Sequence, residues 1–430
     1  ENAYVQIPWP DAEQGFHYVR FPKNVYPFLP KEFRDAASSL QQPVFRMRRA
    51  LYGHPISGNL FVNAVRDHLI SNGFVPLNSD PALLKKGSVL VLLYVDDILA
   101  AGKPSELSAL WDHLRIRFPI GTVNPAARFL GMHLVIQRTP TSRSCVIDMT
   151  SYVDAIRSTF LELFPGQPLT TQHSPASWDP RAERWDPRSI TEDVHPVQVI
   201  LGMLLWTSRL ARPELAPIVS LLASRINSWT AACQRALGHA VSYAFTYRTH
   251  NLTLHFDLDD LPKFQLLTDA DLAFPRSLSG YLLCLRGPTG RTFLPLLFAS
   301  NRQPLAADST PASEIIAAHL GVRKALPLVD EAFALFDLTP EPLDVRVDNF
   351  EVVRIAIRGF SAALGLYALA LNLRMSLLHD LQTRGFILVS HVPSALNLSD
   401  LFTKIFAPVA MHRFHELFLL APKDFVSYPD

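Results

Sequence analysis

Apolar residues in the first third of the chain follow two different spacings. Helical spacing predicts helices over 59–72 and 105–118, the second with Ser105 as its N-cap. An unbroken apolar run over 88–95 lies between them and predicts a buried strand. Residues 1–58 are rich in proline and aromatic residues, which predicts loops and short strands rather than long helices.

The middle of the chain changes character twice. Residues 139–196 carry clusters of proline, serine, threonine and arginine, notably Trp178-Asp179-Pro180, and predict a linker over a small subdomain. Helical spacing then returns and predicts a helical block that connects two modules. Its predicted helices are 198–210, 214–228 and 231–247.

The last third alternates between strand and helix patterns, which predicts a mixed sheet flanked by helices. The predicted strands are 264–268, 280–286, 292–300, 343–347 and 386–389, and the predicted helices are 313–328, 367–381 and a closing helix. The fold class expected for the whole chain is therefore α/β (α+β).

Composition places the chain among ordinary globular proteins. Its 430 residues allow two or three domains. Lys and Arg (40) nearly balance Asp and Glu (39), so a nucleic-acid partner would have to be held by local patches. The cysteines lack Cys-x-x-Cys spacing, which argues against a zinc site and favours small core residues in a reducing compartment. They are Cys145, Cys233 and Cys284.

The sequence shows neither a membrane-helix pattern nor a secretion-signal pattern. No uninterrupted apolar stretch reaches the roughly 18 residues of a membrane helix, and the first residues lack a basic-then-apolar signal pattern. We expect an intracellular protein, cytoplasmic or nuclear, with no membrane partner. The chain begins at Glu1 without a methionine, which favours a piece of a longer protein.

Two adjacent acids, Asp96 and Asp97, follow the apolar run over 88–95. Carboxylates flanked by buried strand residues need a compensating cation, and paired divalent metals on Asp oxygens drive phosphoryl transfer. The dipeptide alone carries little weight, because Asp259-Asp260 is a second such pair that we interpret as a solvated turn. The flanking strand pattern is what suggests a hairpin that presents both acids.

A second set of acids falls at the ends of predicted elements in the last third. Asp269 closes a strand, Glu314 opens a helix, Asp348 closes another strand and Asp400 begins the closing helix. Strand ends and helix starts converge in a mixed α/β sheet, and four such acids could hold two Mg²⁺ or Mn²⁺ ions. Each acid also has a simpler interpretation as a helix cap, a turn residue or compensation of a helix dipole.

These residues resemble the pol region of copia-type long-terminal-repeat retrotransposons almost from end to end. The reverse-transcriptase part of the resemblance rests on Arg49-Ala50-Leu51-Tyr52-Gly53, Asp80-Pro81, Tyr94-Val95-Asp96-Asp97 and Phe129-Leu130-Gly131-Met132. The connecting region rests on Leu204-Leu205-Trp206 and Arg212-Pro213-Glu214. The ribonuclease H part rests on Thr268-Asp269, Ser279-Gly280-Tyr281, Ser313-Glu314, Val347-Asp348-Asn349, His391-Val392-Pro393 and Ser399-Asp400 through Lys404.

The resemblance implies a fold of three domains with a C-terminal tail, and two activities. The expected parts are a partial reverse-transcriptase palm (1–137), a thumb or connection region (138–262), a ribonuclease H-like mixed sheet with flanking helices (263–406) and a C-terminal tail (407–430). The implied activities are RNA-directed DNA synthesis and two-metal hydrolysis of RNA in RNA–DNA hybrids. The implied partners are an RNA template, a DNA primer, an RNA–DNA hybrid and deoxynucleotides, with two Mg²⁺ or Mn²⁺ ions per active site.

The resemblance also assigns roles to residues. The polymerase acids would be Asp96 and Asp97, and the ribonuclease H acids would be Asp269, Glu314, Asp348 and Asp400, all as metal ligands. His391 would assist product release, although a lone histidine at a loop is more often a surface residue. The residues that would contact nucleic acid are Arg49, Tyr52, Gly53, Tyr94, Leu130 and Gly131.

The sequence departs from the family pattern at its start. The family's first polymerase Asp lies on a strand before a segment similar to the one that begins at Glu1, and Asp11 and Asp35 are poor substitutes. We therefore expect the fragment not to polymerise DNA, although its parent would. The segment after Gly53 also lacks the family's usual basic and aromatic residues, which predicts altered template contacts.

Two other functions remain open. One is a non-catalytic nucleic-acid-binding remnant of a decayed element, which would keep the fold without metal-dependent cutting. The other is a host scaffold for protein contacts, with the helical block over 198–247 as its interface. The complete set of ribonuclease H acids argues mildly against the first.

Overall fold

A computed structural model gives the fold of the chain. It describes residues 4–420 except 11–14, 16, 79, 178–192, 274, 362–363 and 365–366. The predicted linker signal Trp178-Asp179-Pro180 and the segment before Tyr4 lie outside the described residues, as does Asp11. The chain folds as two compact units, Glu1–Ala126 and Ala127–Asp430.

The first unit is a four-stranded antiparallel sheet with helices packed against it. The elements are β1 (Tyr18–Val19), α1 (Lys31–Ser38), β2 (Phe45–Arg46), α2 (Ser57–Ser71), β3 (Val75–Pro76), β4 (Leu83–Lys86), β5 (Val89–Tyr94), β6 (Asp97–Ala101) and α3 (Pro104–Arg117). The strands of the sheet pair in the order β3-β4-β5-β6, and β1 pairs with β2 in a separate ribbon. The core of this unit is formed by Leu69, Leu84, Val91 and Leu114, each almost fully buried.

The predicted helices of this unit are confirmed to within about two residues. Ser105 is not the N-cap of α3, because Lys103 occupies that position and Pro104 begins the helix. Proline suits the first helical turn because its missing N–H would be unpaired there in any case. The described residues up to 58 form the expected short elements, and they include helix α1, which the proline-rich pattern did not predict.

The second unit is built on one ten-stranded sheet. Its strands are β7 (Arg128–Phe129), β8 (Met132–Arg138), β9 (Ser142–Asp148), β10 (Asn251–Asp257), β11 (Lys263–Ala270), β12 (Leu278–Arg286), β13 (Phe293–Arg302), β14 (Leu343–Val347), β15 (Ile387–His391) and β16 (Leu419–Leu420). Its α-helices are α4 (Thr150–Leu163), α5 (His195–Leu210), α6 (Ala216–Ala223), α7 (Ala231–Thr246), α8 (Thr310–Leu335), α9 (Phe350–Arg358), α10 (Tyr367–Thr383) and α11 (Pro408–Phe418).

The sheet is mixed, as predicted from the last third of the sequence. Its strands lie in the order β15-β14-β11-β12-β13-β10-β9-β8-β7. The pairs β11–β14 and β14–β15 are parallel, and the remaining pairs are antiparallel. Strands β10 and β13 meet at one register pair, His255 with Phe293, so two halves of the sheet join there. The mixed α/β class is confirmed.

Helix α8 covers the half of the sheet that contains β11 and β12. A Cβ atom on Gly321 would lie 2.7 Å from Cγ2 of Thr268, so α8 approaches β11 too closely for a side chain there. Leu266, Val345 and Ile315 are fully buried between sheet and helices. This apolar layer fixes the helix against the strand ends that carry the predicted acids.

The helical block packs around Phe160, Trp229, Leu237 and Tyr243, which are all fully buried. The single helix predicted over 214–228 is wrong, because α6 ends at Ala223 and is flanked by 3-10 helices at Pro213–Leu215 and Ile226–Ser228. Polar side chains after α6 compete with backbone amides for the helix's carbonyl groups. The hydroxyl of Ser224, for example, donates to the Leu221 carbonyl.

Several regular elements in the second unit were not predicted. Strand β9 and helix α4 lie within the segment interpreted as a linker, and strand β8 ends at Arg138, directly before it. Helix α9 follows β14 after a short turn. No helix within the described residues is both long and apolar enough to cross a bilayer.

A buried polar network joins α11 to the helical block. The Arg212 guanidinium is fully buried and its Nε lies 2.6 Å from a Glu214 carboxylate oxygen. The Tyr243 hydroxyl lies 2.6 Å from Nε2 of His415, which is 7% exposed. Burial, followed by the charge of Arg212, lowers the pKa of His415 to about 3. The imidazole is therefore neutral in the folded protein near pH 7.

Candidate active site

Two predicted acids lie side by side where parallel strands end. Thr268 on β11 pairs with Val347 on β14, and the next residues along the two strands are Asp269 and Asp348. Asp269 is 1% exposed and Asp348 is half-buried. Because parallel strands present their carboxyl ends at one edge of the sheet, both side chains belong to the same site.

Asp400 does not begin the closing helix as predicted, because it lies in a short 3-10 helix, Leu398–Phe402, that ends before α11 starts at Pro408. This 3-10 helix brings Asp400 to the same edge of the sheet. Its position is fixed by Asn397, whose amide donates to the Thr268 carbonyl at 3.1 Å. Gly280 on β12 permits the approach, because a Cβ there would lie 2.7 Å from Cβ of Phe402. One carboxylate oxygen from each of Asp269, Asp348 and Asp400 lies within 4.8 Å of the others. We call these three residues the acid cluster.

Glu314 lies on α8 beside the acid cluster and is 3% exposed. It is the fifth residue of the helix and does not open it as predicted. Burial, followed by the charges of Asp269 and Asp348, raises its pKa well above the usual range. Its Oε2 atom has no hydrogen-bond partner among the described residues. A buried carboxylate oxygen without a partner is costly, which favours a ligand at this position.

Lys404 and Thr403 were not predicted as site residues, yet both contact the acid cluster. The Lys404 ammonium donates to Asp400 Oδ1 at 2.7 Å and lies 3.8 Å from Asp269 Oδ2. The Thr403 hydroxyl donates to Asp269 Oδ2. The spacing of four residues between Asp400 and Lys404 is a signal that could have identified the pair from sequence.

The electrostatics of the cluster show that it is short of positive charge. Burial, followed by the charge of Asp400, raises the pKa of Asp269 to about 7, although Lys404 and Thr403 oppose the shift. Burial also raises the pKa of Asp400. Buried acids with such shifts either take up protons or bind a cation. Carboxylate oxygens are the ligands that Mg²⁺ and Mn²⁺ prefer, so these residues fit a divalent cation.

His391 ends strand β15 and is half-buried. Its ring stacks on the Phe350 ring with centroids 3.8 Å apart and planes at 6°. Phe350 begins α9, directly after Asp348 and Asn349. The stacking restrains the imidazole near the edge where the acids lie.

In the first unit, Asp96 and Asp97 lie at the turn between β5 and β6. The hairpin is formed as predicted, and Val95 in its turn has a φ of 55°. Both acids are exposed, so the expectation that buried neighbours force a cation onto them is wrong. Among the described residues up to 126, no third acid joins them in a metal-binding group.

A cavity of about 240 Å³ opens beside Asp96. Phe61, Trp111 and Phe118 supply much of its apolar wall. The cavity therefore combines aromatic surface with one exposed carboxylate.

The residues expected to contact nucleic acid are mostly exposed. Tyr94 and Tyr52 are each about half exposed, and the Tyr52 ring lies 4.4 Å from that of Tyr4. Arg49 donates to the Gln6 carbonyl at 2.8 Å, beside Gly53 with a φ of 85°. In the second unit, the turn between β7 and β8 holds the remaining two. They are Leu130 (φ 50°) and Gly131 (φ 81°).

The comparison pair Asp259-Asp260 forms a turn, but the expectation that it is solvated is wrong. Asp260 is 3% exposed, and its Oδ2 accepts a hydrogen bond from the Thr292 amide at 3.0 Å. Its partners are backbone amides of the loop between β12 and β13. Asp260 therefore anchors that loop and does not join the acid cluster.

Sequence comparison finds relatives of the type that the motifs predict. The chain is 26% identical over 299 residues to the retrovirus-related Pol polyprotein from transposon RE1 of Arabidopsis thaliana, covering 65% of this chain. It is 25% identical over 324 residues to the corresponding polyprotein from transposon TNT 1-94 of Nicotiana tabacum, covering 72% of this chain. The chain is homologous to plant retrotransposon Pol polyproteins. The resemblance predicted from the motifs is therefore confirmed.

The chain spans 19% and 23% of the length of these Pol polyproteins. No protein-family model matches it. A foamy viral protease-reverse transcriptase solved with an RNA/DNA hybrid aligns at a TM-score of 0.46 and 15% identity, over 91% of this chain and 45% of its own. An N-terminal RNase H domain from Mycobacterium tuberculosis aligns at a TM-score of 0.23 and 16% identity, over 33% of this chain and 91% of its own.

Proposed function

We propose that the second unit hydrolyses the RNA strand of RNA–DNA hybrids with divalent cations, as the ribonuclease H part of a Pol polyprotein. The observation that carries the proposal is the convergence of Asp269, Asp348 and Asp400 within 4.8 Å. Segments far apart in sequence supply these acids, and the buried Glu314 lies beside them. The relation to Pol polyproteins supports the same function.

In this proposal the metal ligands are Asp269, Glu314, Asp348 and Asp400. Bound Mg²⁺ or Mn²⁺ supplies a water nucleophile and stabilises charge on the leaving oxygen. The chain's own residues fix the ligand geometry: β11 and β14 hold two acids, and Asn397 anchors the segment that carries the third. His391, restrained by Phe350, lies at the same sheet edge and would assist product release.

The test is cleavage of a labelled RNA–DNA hybrid by the full chain in Mg²⁺ or Mn²⁺, with double-stranded DNA as the substrate control. We expect hybrid-specific cutting that Asp348→Asn reduces by at least about 100-fold, because a metal ligand is lost. A folded protein that binds the hybrid without cutting it would instead favour the non-catalytic remnant. A protein that ignores the hybrid in size-exclusion chromatography would favour the protein scaffold.

The first unit is proposed as part of a reverse-transcriptase palm, with Asp96 and Asp97 as two of its polymerase acids. The palm part would span residues 1–137, which adds β7 and all but the last residue of β8 to the first unit. Residues 138–262 would form the connection, 263–406 the ribonuclease H part and 407–430 the tail. The exposed Tyr94, Tyr52 and Arg49 would contact template and primer, as would the turn at Leu130 and Gly131. The partners of this activity would be deoxynucleotides, an RNA template and a DNA primer.

Primer extension on an RNA template tests the palm assignment. We expect no extension by the chain as given, because the described residues supply Asp96 and Asp97 with no third acid. Extension that Asp96→Asn abolishes would show that two acids suffice here and would overturn this expectation.

A further inference from the structure

The acid cluster carries its own cation. The Lys404 ammonium lies 2.7 Å from Asp400 and 3.8 Å from Asp269, so it bridges two of the three residues of the acid cluster. Lys404 ends one of the motifs that carry the resemblance, but it was not among the predicted site residues.

The local backbone fixes where the ammonium can reach. Lys404 follows the 3-10 helix, and its amide donates to the Asp400 carbonyl at 3.0 Å. The neighbouring Thr403 hydroxyl contacts Asp269 from the same turn. One turn of chain therefore supplies an acid, a hydroxyl and an ammonium to the same small volume.

The side chain is able to leave that position. It is 40% exposed, whereas the carboxylates of Asp269 and Asp400 are 2% and 14% exposed. A lysine has a flexible four-carbon stem and a strongly hydrated head, so it can exchange an ion pair for water. The buried acids cannot do the same.

We propose that Lys404 is a tethered counter-ion that compensates the acid cluster when no metal is bound and competes with divalent cations for Asp400 and Asp269. The inference rests on the proposed function only in taking these acids as a divalent-cation site. Lys404 is thus a positioning residue that sets metal affinity. Because like charges repel, a bound divalent cation and the ammonium cannot both hold their closest contacts with Asp400.

The competition predicts an unusual direction of effect. Replacing Lys404 by the uncharged Lys404→Met removes a repulsive charge, so the affinity for Mn²⁺ should rise by about tenfold at low salt. Without metal, the same variant leaves the acids uncompensated, so its melting temperature in EDTA should fall below that of the wild type. Lys404→Arg keeps the charge and should stay close to the wild type in both measurements.

The experiment is a Mn²⁺ titration of the full chain, in which electron paramagnetic resonance counts free Mn²⁺. The matched control is Lys324→Met, which removes an exposed lysine from α8, ten residues and roughly 15 Å along the helix from Glu314. Tighter Mn²⁺ binding by Lys404→Met alone would support the proposal. Equal or weaker Mn²⁺ binding by Lys404→Met would overturn the proposal. If the melting temperature also fell, Lys404 would be a structural residue only.

Cleavage of the hybrid separates this inference from the proposed function. Tighter Mn²⁺ binding by Lys404→Met without any cutting by the wild type would support the counter-ion and overturn the nuclease. Cutting by the wild type with unchanged Mn²⁺ affinity in Lys404→Met would support the nuclease and overturn the counter-ion. Absence of Mn²⁺ binding in all variants would overturn both.

Discussion

The two units each present acids that the sequence predicts as catalytic, but the chain surrounds them differently. In the first unit Asp96 and Asp97 come from one hairpin turn and are exposed. In the second unit the acid cluster comes from two strands and a 3-10 helix, beside the buried Glu314. The difference shows that an apolar run next to two acids does not bury them. Acids become buried where segments that are distant in sequence converge.

The largest expected effect tests whether only the converged acids support cutting. Asp269→Asn should reduce hybrid cleavage by at least about 100-fold, because it weakens a proposed metal ligand that burial holds in place. Cleavage rates in Mn²⁺ measure the effect, with circular dichroism to check the fold.

The matched variant is Asp97→Asn in the first unit, which should leave hybrid cleavage unchanged. Equal losses in both variants would show that the two acid sites do not differ in the way the structure indicates.

The second prediction concerns stability at low pH. The second unit should lose folding free energy as the pH falls, because it buries the neutral imidazole of His415. The pKa of His415 is lowered from 6.5 to about 3, so the unfolded chain binds more protons between these values. This contribution to stability is complete above pH 6.5 and is lost as the pH falls towards 3. Its size is on the order of a few kcal/mol, since one pKa unit corresponds to about 1.4 kcal/mol.

Urea unfolding of His415→Gln measured against pH checks this sign. The variant should flatten the loss of stability below pH 6.5, because glutamine does not titrate. His412→Gln removes an exposed imidazole from the same helix and should change the pH dependence only slightly, because its charge is the smallest of the named causes that lower the pKa of His415. A wild-type slope that persists in His415→Gln would assign the acid sensitivity to other groups.

The third prediction tests the close approach that brings Asp400 to the site. A methyl group in Gly280→Ala would meet Phe402 Cβ at 2.7 Å and the Ser399 carbonyl at 3.0 Å. We expect a loss of about 1–3 kcal/mol in the free energy of unfolding, because backbone cannot move aside easily. Thermal unfolding and hybrid cleavage should both decline.

Gly202→Ala is the control, because a Cβ there has no neighbour within 4 Å and the residue lies inside α5. It should stabilise the protein by about 0.5–1 kcal/mol through helix propensity. Destabilisation by both variants would mean that the Gly280 contact is not special.

The smallest effect is expected in the exposed hairpin of the first unit. Val95 has a φ of 55°, which is unfavourable for a β-branched residue. Val95→Gly should stabilise this unit by about 1 kcal/mol, because glycine adopts such angles freely. Hydrogen exchange of the β5 and β6 amides measures the local change.

Val95→Ala is the matched variant for this turn. Alanine keeps the strain of the positive φ, so it should not reproduce the stabilisation. Slower exchange in both variants would attribute the effect to the lost valine side chain and not to the backbone angle.

Much of the second unit could be predicted from sequence because its elements have clear spacing. Strand β14 was predicted at its observed bounds, and α10 to within two residues. The expected helix over 214–228 failed, since helical spacing does not reveal where polar residues such as Ser224 end a helix. Strands β8 and β9 were missed because their alternation is weak among many polar residues.

The positions of two acids at strand ends followed from the sequence by itself, whereas the element predicted to carry Asp400 was wrong. Asp269 and Asp348 were correctly placed at strand ends, because side-chain periodicity is a local property of the chain. Only the tertiary structure decided that Asp96 and Asp97 are exposed and that Glu314 is buried with an unpartnered oxygen. It also decided that Lys404 reaches Asp269, 135 positions earlier. Burial and ion pairing depend on residues that are distant in sequence, so no local pattern contains them.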